Sequence, residues 1–126
     1  MDVASSLDRL RAEANGCSIV AFADLATSMV LSVSSSGRHA QEELDALTQT
    51  AVAVLSGGVS ESVQAILSNS EPTTAVSMTP VDAKIYVRSN ASPNEVLICV
   101  CAPDADLSNI VGKSQAVLED IANGAV

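Results

Sequence analysis

The sequence predicts an α+β fold in which an antiparallel five-stranded sheet carries helices on both faces. Residues 17–34 form two apolar stretches joined by a short turn, and the first stretch is apolar at odd and even positions alike. A strand with this pattern is covered on both faces of its sheet. Residues 96–102 form a second stretch of the same kind. Two doubly covered strands require helices on both sides of the sheet.

The composition favours one globular domain over residues 1–126. Hydrophobic residues make up 48% of the chain, which is too many for a disordered segment. The net charge is −9 and the basic residues are scattered singly, which argues against nucleic acid as a partner. The longest apolar run, residues 96–102, is far shorter than the roughly 20 residues that span a bilayer, so we expect no membrane insertion.

Cysteine usage and the amino terminus predict a cytoplasmic location. The chain has three cysteines without a Cys-x-x-Cys pair, and no basic segment followed by an apolar one at its start. We interpret Cys17, Cys99 and Cys101 as small core residues rather than a redox pair. No basic residue lies near them in sequence to lower the pKa of a thiol.

The first helix is predicted over residues 3–14. Val3, Leu7 and Leu10 recur at helical spacing there, and Gly16 follows as a stop. The hairpin that follows turns after Asp24. We interpret Asp24 as the cap of this turn rather than as a catalytic carboxylate, because an Asp at the end of a strand commonly hydrogen-bonds the backbone a few residues on.

The second helix is predicted to begin near Arg38 or His39, with Leu44, Leu47, Ala51 and Leu55 on one face. Apolar residues continue around the whole circumference at residues 51–54, so the second half of this helix should be buried on more than one side. The sheet covers one side. A copy of the same helix from another chain is the simplest cover for the other.

Residues 59–72 allow two interpretations. Val59, Val63 and Ile66 lie at helical spacing and favour a short helix, whereas residues 62–68 could instead form a strand. Residues 69–72 are a turn-rich connector to the strands that follow.

The last three strands are predicted over residues 73–78, 84–88 and 95–102. If consecutive strands pair as hairpins, the two doubly apolar strands meet at the centre of the sheet, in the order 2-1-5-4-3 with one helix on one face and two on the other. The third strand is then an edge without a guarding charge. Such an edge pairs readily with another strand.

The final helix is predicted to be capped by Asp104 or Asp106 and to end near Gly124. Its apolar residues, among them Ile110 and Leu118, recur at helical spacing and form the buried stripe.

The sequence carries no signature of catalysis or metal binding. His39 is the only histidine, which excludes a histidine-rich metal site, and no Gly-x-Ser-x-Gly motif occurs. Arg38 could act as a finger that completes a GTPase site, but a solvated residue at a helix start is the simpler interpretation. We therefore predict no catalytic, cofactor-binding or metal-binding residue, and no enzymatic activity.

The predicted order is helix, two strands, helix, three strands, helix. With this sheet order it resembles the profilin-like fold of the roadblock/dynein light chain family over nearly the whole chain. The most telling pieces are the helix end at residues 15–17, the hairpin with Asp24 at its turn, and the segment VLICVCAPDADL that leads into the last helix. The sequence departs from the family in two places. Thr27 and Ser28 stand where members commonly have glycine, and residues 59–72 are longer than the usual link.

The resemblance implies a homodimer in which the second helix packs against its twin and the third strand pairs across the symmetry axis. It also implies a non-enzymatic scaffold or regulator that binds a Ras-like small GTPase. The alternative is a ligand-sensing or purely structural dimerisation domain without a GTPase partner. The predicted interface residues are Leu44, Leu47, Thr48, Ala51, Val52, Leu55, Ala75 and Ser77.

Overall fold

A computed structural model describes residues 3–14, 16–37, 41–56, 74–90, 92 and 94–123. In chain order, its elements are α1 (Val3–Glu13), β1 (Cys17–Asp24), β2 (Met29–Ser35), α2 (Gln41–Ser56), β3 (Thr74–Met78), β4 (Ala83–Arg88), β5 (Glu95–Cys101) and α3 (Leu107–Ala122). The predicted start of the second helix at Arg38 or His39, and both interpretations of residues 59–72, lie outside the described residues.

The five strands form one antiparallel sheet in the order β2-β1-β5-β4-β3. This order confirms the sequence prediction. β1 and β5 lie at the centre, with Ala21 opposite Ile98 in the register. Both are covered on two faces, which explains why neither shows polar alternation.

Two hydrophobic cores lie on opposite faces of this sheet. One contains Val20 and Phe22 of β1 and packs against α1 and α3. The other contains Ile19 and Ala21 of the same strand and packs against α2. Each fully buried Leu, Ile or Val contributes roughly 1.5–3 kcal/mol to folding. The predicted division of helices, two on one face and one on the other, is confirmed.

The β1–β2 turn is capped by Asp24, as the sequence predicted. Its Oδ2 accepts hydrogen bonds from Thr27 N at 3.1 Å and from Thr27 Oγ1 at 2.7 Å. Ser28 then takes a left-handed backbone conformation with φ of 56°. This is the conformation that glycine adopts at least cost, so Ser28 performs here the task that glycine commonly has in such a turn.

Of the two predicted caps, Asp106 begins α3. Its side chain accepts a hydrogen bond from Asn109 N at 3.2 Å, which satisfies one of the unpaired N–H groups of the first turn. The helix ends at Ala122 with Asn123 as its C-cap. The predicted stop at Gly124 lies outside the described residues.

Candidate functional site

α2 has one face buried against the sheet and an opposite face exposed. Leu44, Leu47 and Leu55 retain at most 5% of their surface in contact with solvent. The acidic residues of this helix lie in its first half, with Glu42 and Glu43 in the first turn. Farther along, the exposed residues are uncharged: Ala46, Gln49, Thr50 and Ala53. The outer face of α2, defined by these four residues, is small, uncharged and open.

The structure separates the eight predicted interface residues into two groups. Five are buried within the protomer, with exposures of 5% or less: Leu44, Leu47, Thr48, Ala51 and Leu55. Val52 and Ala75 are half-buried, and Ser77 is exposed. The five buried side chains therefore form the contact between α2 and the sheet, and the other three are accessible to a partner.

The second half of α2 is covered on one side only within the protomer. Ala51 has no exposed surface, whereas Ala53, two residues on, is exposed. Two residues correspond to roughly 200° of rotation around a helix, which places these alanines on nearly opposite sides. The described part of this chain therefore supplies no second surface that covers the outer side of α2.

β3 is an outer strand of the sheet with a regular and uncharged edge. Its five residues pair with β4 without a register shift. Val76 and Met78 are 44% and 57% exposed, and Val81 in the following turn is 80% exposed. A regular outer strand with exposed apolar residues and no charge is suited to pair with another strand.

β2, the other outer strand, is protected. The register with β1 shifts between Phe22 and Ala23, so that Leu31 is an extra residue that bulges from the ladder. Ser34 is anchored to α1, because its hydroxyl donates to Asp8 Oδ1 and accepts from Arg11 Nε at 2.9 Å. A bulge and a fixed neighbour discourage edge-to-edge pairing. The two edges of this sheet are therefore not equivalent.

The outer face of α2 and the β3–β4 hairpin border a common groove. The groove has a volume of about 160 Å³. Its lining residues are Glu43, Ala46, Leu47, Thr50, Asp82, Lys84 and Val100. The exposed flank of α2 thus lies on the β4 side of the sheet, next to the β3 edge, and the two features form one continuous surface.

The three cysteines lie together on the α1/α3 face of the sheet. Cys17 is opposite Cys101 in the register of β1 and β5. The neighbouring thiols of Cys101 and then Cys99 lower the pKa of Cys17, whose own S–H donates to the Ile19 carbonyl at 3.4 Å. Interaction with Cys17, followed by burial, raises the pKa of both neighbours. The sequence prediction treated the three thiols as core residues because no basic residue lies near them in the chain. It did not consider that neighbouring thiols can themselves lower the pKa of Cys17.

Other chemistry is sparse in the described part of the chain. Among these residues, no three His, Cys, Asp or Glu side chains are arranged so that they could hold a metal ion. None of their helices is long and apolar enough to cross a membrane. Arg38 and His39 lie outside them. Arg88, 5% exposed, donates from Nη2 to the Leu55 carbonyl in the last turn of α2, where a cation complements the negative end of the helix dipole.

Comparison with known proteins gives a match in structure. No family model and no curated protein matches the sequence. The Roadblock/LC7 domain from Streptomyces avermitilis superposes with a TM-score of 0.80 at 11% identity, over 99% of this chain and 98% of that one. Myxococcus xanthus MglB superposes with a TM-score of 0.76 at 12% identity, over 96% of this chain and 92% of that one. A structure of MglB with a tetrameric arrangement superposes with a TM-score of 0.78 at 14% identity, over 96% of this chain and 85% of that one.

The chain has the roadblock/LC7 fold. The resemblance to this fold that was drawn from the sequence is therefore confirmed. Patterns in the sequence placed β3 at an edge of the sheet and left one side of α2 accessible. They gave no signal for the bulge at Leu31, because a bulge is a property of the pairing between two strands.

Proposed function

We propose that this roadblock domain is a non-enzymatic homodimeric scaffold that binds and modulates a Ras-like small GTPase. The roadblock fold supports this proposal, together with the sequence resemblance to a family whose dimers act on such GTPases. The tetrameric arrangement of one MglB structure shows that a protein of similar fold self-associates.

The observation that carries the dimer is the difference between the two edges of the sheet. β2 is bulged and anchored to α1, whereas β3 pairs with β4 without a register shift. Both strands are uncharged and expose apolar side chains, so the bulge and the anchor are what distinguish the two edges. Pairing β3 with its twin would satisfy its outer backbone groups and extend the sheet through both protomers.

The proposed interface consists of the β3 edge and the outer face of α2. Ala75 and Ser77 belong to the strand, and Val52 lies at the flank of the helix. The buried residues Leu44, Leu47 and Leu55 contribute indirectly, because they pack α2 against the sheet and so fix the position of its outer face. An uncharged helix face of small residues allows two helices to approach closely without desolvating charge.

The proposed action on the GTPase is conformational. A rigid platform that binds one arrangement of the partner's catalytic loops more tightly than the others shifts their equilibrium toward that arrangement. All catalytic groups then belong to the GTPase.

The dimer is tested by light scattering coupled to size exclusion at micromolar concentration. We expect the mass of two chains for the wild type. Val76→Lys on β3 should raise the dimer Kd at least about tenfold, because a lysine at the centre of the edge must be desolvated or repelled by its twin. Leu31→Lys on β2, at a residue that is similarly exposed, is the matched control and should leave the Kd unchanged. A wild-type monomer, or equal effects of the two lysines, would contradict the proposed interface.

The GTPase partnership is tested by affinity capture from an extract of the native cell. Wild-type protein and the Val76→Lys variant are compared, and captured proteins are identified by mass spectrometry. We expect a Ras-like GTPase on the wild type. Its single-turnover GTP hydrolysis should change when this protein is added, and the protein alone should hydrolyse no GTP. Turnover by the purified chain would refute the non-enzymatic assignment, and a dimer that captures no GTPase would favour the structural alternative.

A further inference from the structure

Cys17 and Cys101 occupy neighbouring positions on β1 and β5, at the end of the sheet where α1 enters it and the loop to α3 leaves it. The Ala102 N–H donates to the Gly16 carbonyl at 2.9 Å. This bond flanks the cysteine pair on one side, and the register shifts on the other side, between Cys17 and Ile19. Residues opposite each other in an antiparallel ladder have Cα atoms about 4.5–5.5 Å apart, which lies within the range that a disulfide spans.

The three thiols differ in access. Cys17 is half-buried, whereas Cys101 and Cys99 have 2% and 0% of their surface exposed. Cys99 is also engaged with α3, because its sulfur lies 3.6 Å from Ser114 Oγ. Cys17 is therefore the cysteine of the three that a small oxidant can reach first.

The reactivity of the thiols follows the same order. The neighbouring thiols of Cys101 and Cys99 lower the pKa of Cys17 and so favour its thiolate, which is the form that attacks an oxidant. The raised pKa of Cys101 keeps this residue a thiol until its neighbour is oxidised. A reactive, accessible cysteine with a second thiol beside it is the arrangement of a reversible redox pair.

We propose that Cys17 is an oxidative modification site, which reacts with hydrogen peroxide and then forms an intramolecular disulfide with Cys101. The Cys17 sulfur attacks one peroxide oxygen and the O–O bond breaks. This gives a sulfenic acid on Cys17 and a hydroxide that takes up a proton to become water. The Cys101 sulfur then attacks the Cys17 sulfur, the S–O bond breaks, and the leaving hydroxide departs with the Cys101 proton as a second water. The two sulfurs together supply the two electrons that reduce the peroxide.

The disulfide would tie the start of β1 to the end of β5. It lies on the α1/α3 face, opposite α2, and so on the other side of the sheet from the outer face of α2. In a reducing compartment such a disulfide is transient and reports oxidation.

The test is oxidation of the intact, folded protein with hydrogen peroxide. We expect the loss of two hydrogen atoms by intact mass, a fall from three titratable thiols to one, and a Cys17–Cys101 crosslinked peptide that dithiothreitol removes. The oxidised protein should melt about 5–15 °C higher, because the crosslink closes a long loop of the unfolded chain.

Two variants distinguish the proposed pair from the alternatives. Cys99→Ala should still form the disulfide. Cys101→Ala should not, and should instead accumulate a Cys17 sulfenic acid that dimedone traps. Circular dichroism confirms that each variant is folded. Three thiols that survive peroxide in the wild type, a crosslink through Cys99, or a crosslink between two chains would each overturn the proposal.

Discussion

Ala51 and Ala53 of α2 provide a matched pair of sites that separates folding from dimerisation. Ala51 has no exposed surface and packs in the core between α2 and the sheet, whereas Ala53 lies on the outer face of the same helix. The perturbation is the same at both positions, Ala→Glu. The two residues are both alanines and lie two positions apart on the same helix. A difference in stability or dimerisation between the two variants therefore reports only which side of α2 is changed.

The two substitutions differ strongly in their cost to the free energy of folding. A glutamate at residue 51 must be protonated to remain in the core, and raising its pKa from about 4.3 to above 7 costs roughly 4 kcal/mol. Fitting the larger side chain adds about 1–3 kcal/mol. The total is comparable to the whole stability of a domain of this size, which is about 0.05–0.15 kcal/mol per residue. A glutamate at residue 53 faces water in the protomer and should change folding stability by less than about 0.5 kcal/mol.

The assay combines urea denaturation with light scattering. We expect Ala51→Glu to be largely unfolded or aggregated, and Ala53→Glu to be folded with the wild-type midpoint but with a dimer Kd raised at least about tenfold. Ala116→Glu, at an exposed position of α3, controls for the added charge. A normal dimer for Ala53→Glu would show that the outer face of α2 is not the interface. A stable, folded Ala51→Glu would refute the assignment of the buried face.

Three further predictions concern the protomer. Tyr86 Oη is buried without a hydrogen-bond partner among the described residues, so Tyr86→Phe should raise the free energy of unfolding by about 1–2 kcal/mol in urea; a loss of stability would contradict this. Burial, and then Asp82, raise the pKa of Tyr86 above 10.0. The unfolded chain therefore loses this proton at a lower pH than the folded chain, so the free energy of unfolding is constant below about pH 10 and falls as the pH rises through the folded-state pKa. Absorbance of this single tyrosine in folded and unfolded protein checks the direction. Ser28→Gly should raise the melting temperature by a few degrees, because glycine adopts the φ of 56° without strain; an unchanged or lower value would exclude strain at this turn.

Much of the fold follows from patterns confined to short segments. The two-sided apolar character of β1 and β5 predicted that both lie at the centre of the sheet, and chain order then placed β2 and β3 at its edges. Asp24 and Asp106 were predicted as caps from their positions alone, because a capping side chain bonds to backbone only a few residues away.

The candidate site depended on relations between distant segments. The apolar run at residues 51–54 indicated surplus hydrophobic surface, but which of its members faces the sheet depends on how α2 rotates against the strands. The structure buries Ala51 and leaves Ala53 exposed. The amino acids at these two positions are identical, so composition cannot distinguish them.

Local chemistry along the chain was enough to specify which segments are strands, which helices cover them, and where turns are capped, because backbone bonding and apolar spacing act over a few residues. Folding in three dimensions added the bulge that protects β2 and the register that sets Cys17 opposite Cys101. These features arise from strand register, which joins residues far apart in the chain and so leaves no mark on either segment alone.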